Sequence, residues 1–149
     1  MENQVAENPI KVDVKKVINI NLQGGINPIV EAGNYQLIDN TNNSSNSIVI
    51  RVDTSVTEGT VNIALPLSTN YSDGTSPNIY IIDTGLLARE NPIVLSVFSQ
   101  GVERNNDLIN GASSIQLDTD GGNICVFCLT RNVYIANGTV SSVLAPAQA

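Results

Sequence analysis

Short apolar runs of period two, cut by tight-turn residues, fill the chain. From Ile10 to Leu22, Val12, Val14, Ile18, Ile20 and Leu22 share one face, interrupted by Lys16; Asp13, Lys15, Asn19 and Asn21 take the other, with Val17 among them. The alternation predicts a half-buried strand ended by Gln23-Gly24-Gly25. Tyr35 to Ile38, Ile48 to Asp53, Val61 to Leu65 and Asn78 to Ile82 read as further strands, with polar loops at 39–47 and around Asp73-Gly74. Ile93 to Phe98 and Asn123 to Leu129 are apolar on both faces, which predicts central strands, the latter the most buried of all. Ser114 to Leu117 and Arg131 to Ala136 complete the set. Asn110-Gly111 predicts a turn, and Asp120-Gly121 predicts a hairpin. Leu86 to Glu90 is too short for more than a single helical turn, and no segment carries sustained helical periodicity.

Roughly ten short strands at spacings near 8–12 residues predict an all-β fold, an antiparallel β-sandwich or flattened barrel. Residues 1–9 read as an extended N-terminal arm, 10–138 as the domain and 139–149 as a small, uncharged C-terminal tail. Asn-Pro-Ile recurs at 8–10, 27–29 and 91–93, but the flanks do not match, so it marks loop-to-strand transitions rather than a repeat architecture.

Composition sharpens this. The 149 residues fit one domain able to bury roughly two-thirds of its unfolded surface. Charged residues are only 14%, against the usual ~25%, so Asn, Ser and Thr carry much of the solubility. An uncharged polar surface suits proteins that pack side by side, since little charge must be desolvated at the contact. The net charge of −7 argues against non-specific nucleic-acid binding. Lys11, Lys15 and Lys16 cluster near the N-terminus, diluted by Glu7 and Asp13. They fit an edge strand protected against wrong pairing, or contact with an acidic partner. No basic segment followed by an apolar run opens the chain, so no signal peptide is expected. No apolar run reaches membrane-helix length.

Candidate chemistry is sparse. The chain has no histidine, which removes the commonest general base and the Ser-His-Asp and Cys-His schemes. Phosphate-cradling loops are absent. Cys125 and Cys128 form a C-x-x-C, but no second ligand pair or following helix accompanies it, so both read as core cysteines. Asp118-Thr119-Asp120-Gly121-Gly122-Asn123 resembles the start of a calcium loop, without the distant bidentate Glu that such a loop needs, and a plain Asp-Gly turn accounts for it. No catalytic, cofactor-binding or metal-binding residue is assigned, and no enzymatic activity is expected. Four Tyr, two Phe and no Trp supply a carbohydrate-stacking platform poorly.

The order of motifs from Val61 to Ala136 carries a resemblance. Val61 to Pro66 is an alternating strand ending in Leu-Pro, followed by a loop containing Gly74. Ile79 to Gly85 is a strand running into Asp-x-Gly. Asn91-Pro92-Ile93 opens the next strand, then comes Asp107-Leu108-Ile109-Asn110-Gly111-Ala112, leading to Ser114-Ile115. A Gly turn at 121 and a strand to Leu129 close the pattern; Ile124 to Phe127 stand where that strand often bears Trp. This order resembles a β-structured module of tailed-bacteriophage virion proteins, found in tail fibres, head fibres and capsid decorations. It covers about half the chain, and residues 1–60 match nothing nameable.

The resemblance implies a structural virion protein, an auxiliary capsid (decoration) or head-fibre protein that binds the major capsid protein, with a homotrimer favoured. It implies no cofactor, nucleic-acid partner or membrane, and transfers no catalytic residue. The protein would be made in the host cytoplasm and end in the virion. Alternatives are a tail, baseplate or fibre-attachment protein, and a receptor- or carbohydrate-binding module.

Overall fold

The computed structural model describes residues 17–21, 28–39, 47–71, 76–97 and 106–142. The arm at 1–9, most of the loops at 39–47 and 99–107, and the tail beyond 142 lie outside them. Within them the fold is all-β, in two mixed sheets. The first has the order β1 (Val17–Asn21), β2 (Gly33–Ile38), β4 (Val61–Leu65), β6 (Ile93–Val97), β8 (Ser114–Leu117) and β11 (Ser141–Ser142). The second has the order β3 (Ser47–Val52), β5 (Asn78–Asp83), β9 (Asn123–Thr130), β10 (Val133–Gly138) and β7 (Leu108–Ile109).

The expected antiparallel arrangement is corrected. From β2 to β6 the chain winds, alternating between the sheets at each strand. β2, β4 and β6 therefore pair in parallel, with Gly33 beside Val61 and Val61 beside Ile93. β3 and β5 do the same in the other sheet, Ser47 beside Asn78. Parallel neighbours need a long crossover, usually a helix; here a strand of the opposite sheet fills that role. β1 joins β2 in parallel, and Ile29, between them in sequence, bridges Val52 of the second sheet. The last third is mostly antiparallel: β8 on β6, β9 on β5, β10 on β9 and β11 on β8, with the short β7 beside β10 in parallel.

A second correction concerns Asp120-Gly121. It does make a turn, with Gly122 N–H donating to the Thr119 carbonyl at 2.9 Å. It joins strands of different sheets, so it is not a hairpin. The β9–β10 hairpin turns instead at Arg131-Asn132, with Asn132 at φ 68°. Asn110-Gly111 is a tight turn as predicted: both residues have positive φ, and Ile109 and Ala112 exchange backbone hydrogen bonds across it.

Strand alternation directs one face of each sheet into a single core cluster. Ile63, Leu65, Leu95 and Ile115 enter it from the first sheet, and Ile50, Ile81, Ile124 and Val126 from the second, all at most 1% exposed. Each such side chain contributes roughly 1.5–3 kcal/mol by leaving water. β6 lies inside its sheet, and β9 is the middle strand of the other, as their composition predicted. β9, however, buries one face only: Ile124, Val126 and Cys128 are covered, whereas Cys125 and Phe127 are half-buried and Leu129 is 50% exposed.

Candidate interaction surface

The polar residues of the motifs are occupied inside the body. Asp83, the last residue of β5, is 2% exposed. Its carboxylate accepts five hydrogen bonds: from the Thr54 hydroxyl and from the N–H groups of Gly85 (3.1 Å), Leu86 (3.0 Å), Ala88 (3.1 Å) and Gly121 (2.9 Å). The Thr54 hydroxyl in turn accepts from Leu87 N–H at 2.8 Å, and the Asn91 amide donates to the Thr54 carbonyl at 2.9 Å. Thr54 opens a one-turn helix, α1 (Thr54–Thr57), capped by the Asp53 carboxylate, which accepts from Ser55 N–H at 3.1 Å. Three connections, at 53–60, 84–92 and 118–122, are thus tied to one buried charge. Gly85 is required there, since a Cβ would collide with the backbone nitrogens of Thr54 and Ser55 and with the Asp53 carboxylate.

A second buried carboxylate, Asp107, ties the opposite end. It accepts from Ser68 N–H (2.8 Å), the Ser68 hydroxyl (2.7 Å) and the Asn132 amide (2.7 Å). Nearby, Tyr134 donates to the Pro66 carbonyl, and Tyr71 to the Asp39 carboxylate at 2.8 Å. Burial pushes both phenols well above their ordinary pKa, and for Tyr71 the Asp39 carboxylate adds to the effect. Tyr35 also turns inward, donating to the Glu31 carbonyl at 2.7 Å. Three of the four tyrosines are therefore spent on the frame.

The residues weighed for chemistry do not converge. Asp120 accepts from Arg89 N–H at 2.8 Å, and Asp118 from the Gln116 amide at 2.9 Å. Among the described residues no group of three His, Cys, Asp or Glu could hold a metal, and no helix is long and apolar enough to cross a membrane. The cysteines are not disulfide-bonded. Cys128 is in the core as expected. Cys125 is not: it lies half-buried on the outer face of β9, beside Tyr80, whose phenol its side chain holds above the usual range through a hydrogen bond.

What remains is surface, and the two outer sheet faces differ. That of the first sheet carries Asn34, Gln36, Asn62, Ser96, Ser114 and Gln116 around Ala64, Val94 and Ile38, with the Asn62 amide donating to Asn34 at 3.0 Å. Water suits it. The outer face of the second sheet is apolar through its middle, with Ser47, Asn78, Asn123 and Asn137 towards the strand ends. Val49 stands beside Tyr80, and Tyr80 beside Cys125. Phe127 stands beside Ile135, and Val133 beside Leu108. Leu129, Leu108 and Val49 are 50%, 40% and 39% exposed. Arg51 is the one charge among the described residues of that face. The doubly apolar residues of β9 signalled burial on both faces. They could not show that the second face would stay uncovered within one chain.

A second apolar group crowns the Asp83 end: Val30, Val56, Leu86 and Leu87 are 47%, 49%, 59% and 37% exposed. Leu86 adopts φ 64°, a region costly for a branched aliphatic residue, held there by its N–H bond to Asp83. No sequence signal marked it.

Neither a family model, nor a curated protein, nor a solved structure matches the chain.

Proposed function

We propose that this chain is a structural virion protein of a tailed bacteriophage that works by association rather than by chemistry. The observation that carries the associative part is the apolar outer face of the five-stranded sheet, on a body whose buried Asp83 carboxylate is saturated with structural hydrogen bonds and whose Asp107 carboxylate accepts three. A carboxylate with every lone pair engaged has none left for a substrate, whereas an apolar sheet face gains by being covered. The virion assignment rests on the motif order from Val61 to Ala136. In this reading a β-sandwich body presents the arm at 1–9 and the tail at 139–149 to its neighbours. The protein decorates the capsid or forms a head fibre on the major capsid protein.

The motif residues fit a framework role. Leu65-Pro66 places the carbonyl that Tyr134 grips, Asp83-Thr84-Gly85 is the buried tie of three connections, and Asp107 to Ala112 supplies the second tie and a tight turn. The carbohydrate-binding alternative loses ground, because Tyr35, Tyr71 and Tyr134 are committed to internal hydrogen bonds.

Imaging particles made with and without the protein tests the assignment. Density missing from the head supports it, density missing from the tail moves the protein to the tail or baseplate, and identical particles refute it. Deleting residues 1–9 and 143–149, which spares β11, is expected to lower particle occupancy while the core stays folded.

A further inference from the structure

We infer that a second copy of this chain covers the outer face of the five-stranded sheet, with the middle strands β9 of the two copies facing each other. The inference rests on the reading of that face as an interface and names its occupant.

Three observations lead there. The first is polarity: of the two outer faces, one is mostly amides and hydroxyls around Ala64, Val94 and Ile38, and the other centres on Tyr80, Ile82, Phe127, Leu129 and Ile135, with Ser47, Asn78, Asn123 and Asn137 towards the strand ends. Only the second improves its free energy by losing water.

The second is where the charge sits. The chain carries −7. Among the described residues Glu31, Asp39, Asp53, Glu58, Glu90, Asp118 and Asp120 all lie in connections between strands, and none lies on an outer sheet face. Two like-charged copies meeting end to end would bring these carboxylates together. Stacked on the apolar face, they bring no carboxylates together, and Arg51, the one charge of that face among the described residues, lies on the edge strand β3. The charge distribution opposes one mode of self-association and leaves the other open.

The third is size. Five strands about 4.8 Å apart, four of six to eight residues and β7 of two, at ~3.3 Å per residue, present a face of roughly 440 Å² in projection. Two such faces bury close to the ~1,000 Å² that a specific interface needs, and sheets stack face to face at about 10 Å through apolar side chains of this kind. Because β9 is third of five strands, any two-fold axis through the centre of the stack and parallel to the sheets sets one β9 over the other.

The cysteines report on this geometry. Cys125 lies half-buried on the outer face of β9, and Cys128, three residues on, is 3% exposed in the core. Maleimide labelling of the wild-type protein, read by mass spectrometry over a dilution series alongside sedimentation velocity, provides the test. Cys125 should label at least tenfold more slowly at high concentration than when dilute, in step with dissociation, while Cys128 labels only on unfolding. Phe127→Asp should be monomeric throughout, with Cys125 labelled at the dilute rate. The wild-type series decides the question even if that variant fails to fold. A monomer with Cys125 reactive at every concentration overturns the inference, as does an oligomer in which Cys125 stays reactive. Concentration-independent protection in a monomer also overturns it, placing part of the same chain over the face. A monomer that still binds particles overturns the second copy alone; one that does not bind overturns the structural reading as well.

Discussion

Replacing Asp83 by alanine would strand the N–H groups of Gly85, Leu86, Ala88 and Gly121 and the Thr54 hydroxyl in the interior. Unsatisfied buried donors cost about 1–3 kcal/mol each before relaxation, so D83A should lose about 3 kcal/mol or more in urea unfolding. Asp83→Asn should also lose stability, because its NH2 faces donors. Leu86 offers the opposite case. It holds φ 64° while 59% exposed, so Leu86→Gly should relieve about 1 kcal/mol of backbone strain at little cost in burial. A thermal-melt shift upward, or none, is expected; a fall of several degrees would show that the side chain packs into the frame. Tyr134 sets a pH dependence. Its phenol is raised above the ordinary value of 10.0 by burial, so between the two values the native state keeps a proton that the unfolded chain has lost. Stability is complete below pH 10 and falls above it, by roughly 1.4 kcal/mol per pH unit for this group. Tyr134→Phe should lose the bond to Pro66, about 1 kcal/mol, and flatten the alkaline decline in denaturant titrations. Asp83-Thr84-Gly85 was readable as turn punctuation. That its carboxylate turns inward was not, because four of the donors are backbone N–H groups whose positions depend on the fold.

At the scale of elements, strand positions and inward faces were legible, because alternation states which side chains point the same way. Ile63 and Leu65, Ile79 and Ile81, and Ile115 and Leu117 all enter the core as their spacing required. Strand direction was not legible. The same alternation serves a parallel or an antiparallel neighbour, and only the winding from β2 to β6 makes those pairs parallel. Asp120-Gly121 misled for a related reason: a turn sequence fixes local backbone but not whether the next strand stays in its sheet. β9 gives the element-scale prediction. Ile124→Ala, on its inner face, should cost about 2–5 kcal/mol in chemical denaturation, as large-to-small core changes do. Phe127→Ser, on its outer face, should cost less than half as much when the protein is dilute. Equal losses would mean that the outer face is closed within the single chain.

The whole molecule is a wound body pinned at both ends by buried carboxylates, with one wettable sheet face and one apolar one. Its low charge content was visible in the composition and pointed towards packing against neighbours. Which face would do the packing needed the sheet order, which brings the outward residues of β3, β5, β9, β10 and β7 side by side from distant parts of the chain. The proposed role in a virion follows from that asymmetry together with the motif order. Rebinding to particles made without the protein measures it most directly, comparing wild type, Phe127→Asp on the apolar face and Gln36→Asp on the amide face. Wild type and Gln36→Asp should restore full occupancy of the head, with Phe127→Asp reduced at least tenfold. Equal occupancy by all three, or no binding by wild type, would contradict it.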